Sequence, residues 1–369
     1  KTEFKKTKQK LKEKFLKTND PLLNMRNLSN ETDTLLRTLW VKTHQNKKTA
    51  LIAVGGYGRN TLHPFSDIDI LILCKEEPNE KDSLSIETFV RLLWDVGLEV
   101  GHSVRTLDDC LSIGFKDVTI LTTFLESRIL AGCEEIFGSF QALVKNNLDI
   151  KSFIIDKIKE QKLRHAQAKN IAYSLEPNIK ECPGGLRDLH TIVWIAKAAN
   201  LGSNWSELFS HNIITKQEYI KLTRYQALLN RIRIYLHYEA NRREDCLSFD
   251  YQLILAKKFG FSDNKAKRAS EQLMQRFYRT VRSIRLINKI ITQNLIERVV
   301  NPDPISQKYL SNDFRIINNL LDITSKDVFE KKPDALIECF RIWQINNDTI
   351  SGLSVRTMRA IWSITSTRA

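Results

Sequence analysis

Apolar residues along this chain recur first with helix and strand spacing in turn, then with helical spacing alone. Thr32–Lys47 carries Leu35, Leu36, Leu39, Trp40 and Val41 as an apolar stripe and predicts a helix. Two unbroken apolar runs of strand length follow, Ala50–Val54 and Ile68–Leu73. The polar stretch Lys75–Asp82, with Pro78 inside it, predicts a loop. Ile86–Val96 has helical spacing and stops at Gly97, and Leu98–Arg105 alternates as a third strand. This order predicts a small mixed sheet with helices on one side. From Asp108 onward the period stays helical, over Thr119–Leu130, Lys151–Asn170, Arg187–Ala199, Lys216–Tyr238, Asp263–Ile296 and Asp334–Asn346. The segment Tyr173–Leu186, with Pro177 and Pro183-Gly184-Gly185, has no period. The chain therefore reads as an α+β head followed by a helical body.

Candidate chemistry concentrates between the first two strands. Val54–Leu71 reads Val-Gly-Gly-Tyr-Gly-Arg-Asn-Thr-Leu-His-Pro-Phe-Ser-Asp-Ile-Asp-Ile-Leu. Alternate residues of a strand share a face, so Asp67 and Asp69 project the same way. Two neighbouring carboxylates repel each other, and a divalent cation relieves this. Mg²⁺ takes one or two carboxylates and completes its shell with water and substrate phosphates. Glycines lack Cβ, so Gly55 and Gly56 let backbone N–H groups approach phosphates. Alone, an Asp-x-Asp pair is most often a solvated strand start and a Gly-Gly a turn. Joined across two strands, they point to a metal-dependent nucleotide site.

Composition narrows this only in part. At 369 residues, with 42% hydrophobic and 27% charged residues, the chain has the make-up of a globular protein of two or three domains. No apolar run reaches membrane-spanning length. Cys74, Cys110, Cys133, Cys182, Cys246 and Cys339 form no Cys-x-x-Cys pair, which argues against a zinc site or disulfide framework and fits a reducing cytoplasm. The net charge of +14 favours acidic partners. Part of it lies in Lys1–Lys17, which reads as a solvated helix face, without the interleaved aromatics of a single-strand platform. The opening at Lys1 and the close at Thr367-Arg368-Ala369 suggest a portion of a longer protein.

Longer stretches then carry a resemblance. Ala53–Arg59, Leu62–Asp69, Leu93–Thr106, Leu175–Lys180 and Pro183–Thr191 resemble, in order, the bacterial PII uridylyltransferase/uridylyl-removing enzymes, the GlnD family, with weaker similarity at Asn241-Arg242-Arg243 and Leu247–Asp250. The resemblance implies a polymerase-β-like nucleotidyltransferase head and a helical domain beside it. The implied division is 1–48 as an N-terminal helical region, 49–135 as the nucleotidyltransferase domain and 136–369 as the helical domain. It further implies Mg²⁺-dependent transfer of UMP from UTP to a tyrosine of the PII protein. Glutamine would act as effector through domains that this chain lacks. No His-Asp dipeptide occurs among the seven histidines, so the phosphohydrolase that removes the group is not expected here. At Asn60-Thr61 the chain departs from the family, which has Gly-Glu there.

Roles follow residue by residue. Asp67 and Asp69 are the expected metal ligands, with Glu99 on the third strand as third carboxylate. Gly55, Gly56, Arg59, Ser66, Arg105, Lys180 and Arg187 are the expected phosphate contacts, Ser66 doubling as a turn cap. The turn before Arg187 and Asp188 opens a helix, a natural anion site. His102 alternates away from Ser103, so a Ser–His nucleophilic pair on this strand is not expected and His102 reads as structural. A nucleotidyltransferase acting on RNA or a small molecule, or a non-catalytic nucleotide sensor, is the competing reading. No membrane or nucleic-acid partner is expected.

Overall fold

The computed structural model describes residues 1–43, 46–169, 175–300 and 306–367. Two helices open the chain, α1 (Thr2–Thr18) and α2 (Pro21–Lys42). Asp20 starts the second by accepting from the Leu22 and Leu23 N–H groups, with Pro21 in the first turn. The head then runs β1 (Thr49–Ala53), α3 (Gly55–Gly58), β2 (Ile68–Cys74), α4 (Glu80–Val96), β3 (Val100–Thr106), α5 (Leu107–Gly114), α6 (Val118–Leu125), β4 (Arg128–Gly132) and α7 (Glu134–Asn147). The body comprises α8 (Ile150–Lys169), α9 (Leu186–Ala198), α10 (Trp205–Ser210), α11 (Lys216–Ala240), α12 (Phe249–Lys258) and α13 (Ala269–Leu295). A last unit holds β5 (Gln307–Tyr309), β6 (Phe314–Ile317), β7 (Leu320–Ile323), α14 (Val328–Lys331), α15 (Ala335–Ile345), β8 (Gly352–Leu353) and α16 (Val355–Thr367).

The head sheet has the order β3-β2-β1-β4, in which β2 and β3 run parallel and the other pairs antiparallel. The α+β class stands. Helices cover both faces of the sheet rather than one. Leu51, Ala53, Ile68, Ile70 and Ile72 pack against α2 and α4 through Leu36, Trp40, Phe89 and Leu93. Ala50, Ile52, Leu71 and Leu73 pack on the other face with Phe124, Phe140 and Trp194. Every residue of β1 is buried, which is why its sequence is an unbroken apolar run instead of an alternation. α4 stops where predicted, at Gly97 in the left-handed region (φ +91°).

Two strand features depart from the sequence-based expectations. The predicted helix Thr119–Leu130 ends at Leu125, and its tail becomes the edge strand β4, antiparallel to β1. Within the stretch expected to be all-helical, β5–β8 form a second four-stranded sheet around Phe314, Leu321, Ile323 and Phe329. Its strands are two to four residues long, too short to establish a period. Asn170, Tyr173 and Ser174, parts of predicted segments, lie outside the described residues, as do His44 and Gln45 of the first predicted helix.

Candidate active site

The head and the body meet over the end of the sheet at which β2 begins, beside Asp67 and Asp69. Asp69 shares its sheet face with Leu71 and Leu73, the face on which Trp194 of α9 packs. Between them lies a cleft of about 530 Å³ lined by Gly55, Gly56, Arg59, Ser66, Asp67, Asp69, Lys180, Arg187 and others named below. Eight of the ten residues expected in the site therefore line one cleft; Glu99 and Arg105 do not.

The glycine–aspartate unit is built by close approach. β2 returns to β1 so that the Val54 N–H donates to the Asp69 carbonyl, 3.0 Å. Gly55 takes φ +59°, a conformation that favours glycine. A Cβ at Gly101, the partner of Asp69 in the β2–β3 register, would stand 2.6 Å from the Asp69 Oδ1, and one at Gly55 3.4 Å from Oδ2. Both glycines thus leave free space around one carboxylate. Tyr57 turns inward and donates to Asp33 of α2 at 2.6 Å, fixing the short helix to the scaffold. Asn60, where the family has glycine, stands at φ +62°. Asparagine tolerates this region better than other residues with a side chain, so the departure keeps the local turn. Thr61 adds a hydroxyl hydrogen bond to the Gly56 carbonyl, 3.1 Å.

The loop from the glycines to the aspartates is pinned by the body. Arg233 of α11 reaches the His63 Nδ1 at 3.1 Å, and the Phe65 N–H donates to the His237 Nδ1 at 3.2 Å. Arg233 is itself held by Asp245 at 2.5 Å. Burial, then the neighbouring Arg233, pushes the His63 imidazole far below its ordinary range, so it is neutral.

The two aspartates differ. Asp67 is exposed and ion-paired with Arg243 at 3.0 Å, both side chains being about half accessible. Such an exposed pair is worth little and is readily exchanged. Asp69 is more enclosed: burial, and then the Asp67 charge, raises its carboxyl above the ordinary range, while Lys180 and Arg243 pull it back. A carboxylate with a neighbouring negative charge and unfilled space is a fitting ligand for a cation.

Cations approach from the body. Lys180 is lowered to about 8 by burial and then by Arg187 and Arg233, and its ammonium is 3.9 Å from Glu181. Arg187 pairs with Glu181 at 3.2 Å and lies 5.5 Å over the Trp194 ring. Lys157, almost fully buried, lies 4.5 Å over the same ring and 2.5 Å from Glu160. Burial lowers its pKa, with Glu160 opposing. His190 beside them is partly buried and held well below its ordinary range, first by burial and then by Arg59 and Arg187.

Several placements sharpen the expected roles. Arg59 is engaged by the buried Glu126, which also accepts from the Trp194 indole N–H. Arg105 stands over Phe124, 5.8 Å from its ring, on the covered part of the sheet face. Glu99 is exposed, one residue ahead of β3, with its carbonyl accepting from the Ile68 N–H at 2.9 Å. Its side chain lines a neighbouring cavity with Lys8. Among the described residues no three carboxylate, histidine or cysteine groups converge as a metal cluster. Asp188 is fully buried and bound by Arg164 at 2.6 Å, by His165 and Gln161 at 2.9 Å and by the Gly184 N–H at 2.7 Å. It braces the wall of the cleft. Lys157, Glu126, Arg233 and Arg243 gave no sequence signal of their own, apart from the Asn241-Arg242-Arg243 similarity, because they are dispersed over separate helices and loops.

Comparison with known proteins finds three family matches along the chain. Residues 36–182 match the nucleotidyltransferase domain family, residues 152–292 the GlnD PII-uridylyltransferase family, and residues 314–367 the uridylyltransferase GlnD third domain. The chain is 40% identical over 373 aligned residues to the bifunctional uridylyltransferase/uridylyl-removing enzyme of Burkholderia mallei (strain ATCC 23344), and equally to that of Burkholderia pseudomallei (strain K96243). Each alignment covers 98% of this chain and 42% of the relative, so the chain spans less than half the length of these relatives. With a nucleotidyltransferase head, a GlnD helical region and a GlnD third domain in one order along it, the chain belongs to the GlnD uridylyltransferase family.

Proposed function

We propose that this cleft transfers UMP from UTP to a tyrosine hydroxyl of the PII protein and releases pyrophosphate. The observation that carries the reading is the opposition of charges: Asp67 and Asp69 on the head face Lys180, Arg187 and Arg243 of the body across one cleft. Relatives named for uridylyl transfer and removal supply the choice of uridylyl group.

The residues fit a divalent cation, because Gly55 and Gly101 keep clear the space beside the Asp69 oxygens that a Cβ would fill. Asp67 and Asp69 would hold Mg²⁺, two carboxylates being an ordinary protein share for this ion. Bound there, it would lower the pKa of the acceptor hydroxyl and offset charge building on the α-phosphate oxygens. Glu99, lining the next cavity, is not needed in this set. Lys180 and Arg187 grip the triphosphate, and Arg243 leaves Asp67 for a phosphate oxygen. Gly55 and Gly56, at the amino end of α3, border the same phosphates with Ser66. Arg59 acts through Glu126, holding Trp194 as the platform on which Lys157 and Arg187 rest. The tyrosine oxygen bonds to the α-phosphorus, the bond from that phosphorus to the β-phosphate oxygen breaks, and the phenol proton passes to a cleft carboxylate.

The test is incubation with PII, labelled UTP or ATP, and Mg²⁺, read by intact mass. One uridylyl group on PII, lost on chelation, is expected. No adduct, or an adenylyl adduct formed as readily, overturns the reading.

A further inference from the structure

A second cavity of about 560 Å³ adjoins the cleft on the other side of the Leu62–Asp69 loop. The loop divides its residues between the two. Leu62, His63, Asp67 and Asp69 line the cleft, Pro64, Phe65 and Ile68 line the second cavity, and Ser66 lines both. The two spaces are therefore one residue apart at the aspartate pair.

The second cavity is not built like the first. Its floor is apolar, with Phe4, Leu11, Leu28, Phe65, Leu98 and Tyr238. Its rim is basic. Lys5, Lys8 and Lys12 project from α1, where the i, i+3, i+7 spacing places them on one side of the helix. Lys8 lies 5.2 Å over the Phe4 ring and Lys12 5.3 Å over Tyr238, so both are laid along the apolar floor. Among the described residues none of the three makes an ion pair. Arg242 adds a fourth cation, already answered by Glu244 at 2.6 Å, and Glu99 is the acid on the wall. The lysine run that reads as a solvated face in the sequence is, in this part, the wall of a groove.

Resting on the function proposed above, we propose that this groove seats the acceptor: an acidic polypeptide loop whose tyrosine reaches past Ser66 to the aspartates. Two observations select a protein segment. Charge complementarity calls for an acidic ligand, and the apolar floor calls for side chains that bury on it. In-line transfer selects the direction. The nucleophile must approach opposite the leaving group, and Lys180 and Arg187 place the leaving pyrophosphate in the cleft. The attacking oxygen then enters from the far side of the loop, where the groove opens.

The experiment is steady-state transfer by the double variant Lys5→Glu, Lys12→Glu, with UTP affinity and melting temperature measured alongside. The KM for PII should rise tenfold or more, with UTP affinity and melting temperature near wild type. Lys5→Ala, Lys12→Ala should give a smaller rise in the same direction. For the wild type the KM should climb with salt, and the charge-reversed variant should lose most of that slope. An unchanged KM for PII overturns the proposal. So does an equal loss of UTP affinity, which would assign the groove to the nucleotide. Direct binding of PII without UTP separates the two proposals. If the wild type binds PII more tightly than the reversed variant yet transfers nothing, the groove stands and the reaction falls.

Discussion

Asp69 and Asp188 are both enclosed carboxylates beside the same cleft, yet the fold treats them in opposite ways. Burial pushes both upward. At Asp69 the Asp67 charge adds to that rise, and the flanking glycines leave its oxygens bare. At Asp188 hydrogen bonds from His165, the Gly184 N–H and Gln161 outweigh burial and hold the carboxyl below its ordinary range. One is kept short of partners and the other is saturated. Under the proposed function, the contrast separates a carboxylate placed to hold a cation from one that holds the wall, and it divides labour between head and body.

The largest effect that would sharpen this contrast comes from Asp67→Asn, Asp69→Asn. Transfer should fall by about a thousandfold or more, as several kcal/mol of transition-state stabilisation are lost. Stability should not fall. A carboxyl raised in the fold is destabilising once ionised, a cost absent below about pH 4 and growing as pH rises through the folded value. Thermal melting at neutral pH should therefore match or exceed wild type, and a fall of several degrees would place Asp69 with Asp188.

Asp188→Ala should do the reverse. Removing one partner from a buried charge network costs about 3–5 kcal/mol, read by denaturant unfolding, with transfer lost in proportion to folded protein. The pH dependence carries the opposite sign. Because this pKa is depressed, its contribution is complete above about pH 4 and is lost as pH falls through the folded value. Acid unfolding that is unaltered in the variant would contradict the assignment.

Gly101→Ala is a finer test. Its Cβ would meet the Asp69 Oδ1 at 2.6 Å and turn the carboxylate aside. A displacement of about 1 Å in a reacting geometry costs on the order of a hundredfold. Transfer should drop by that order with UTP affinity retained; an active variant would show that the cleared space has no role.

The smallest effect concerns Lys180, at about 8. Its charge, and with it UTP affinity, should decline as pH rises from 7 to 9, by roughly tenfold at most, since one unit of pKa corresponds to about 1.4 kcal/mol. In Lys180→Gln the slope should vanish while affinity is already low, as calorimetric titration would show.

Much of the head was legible because its physics is local. β1 and β2 are apolar runs closed by glycine and aspartate, and α4 ends at a left-handed glycine. β4 was hidden because Arg128–Gly132 continues the apolar period of the preceding helix and becomes a strand only by pairing with β1. β5–β8 were hidden by their brevity. In the site, Asp67, Asp69 and the glycines could be read from spacing. Lys157, Arg233 and Glu126 could not, since their roles come from helices that tertiary packing brings over the sheet. Glu99 shows the limit of alternation: it falls inside the expected strand Leu98–Arg105, but a position just ahead of β3 is not bound to the strand's faces.

The division between head and body is tested most directly by single-turnover transfer to PII over a range of UTP concentrations, comparing Asp69→Asn with Lys180→Gln, Arg187→Gln. The account requires the first to lose its maximal rate with half-saturation nearly unchanged. The second should shift half-saturation upward by tenfold or more and keep most of its maximal rate. Equal losses of rate and affinity in both variants would contradict it, because head carboxylates and body cations would then act as one undivided set.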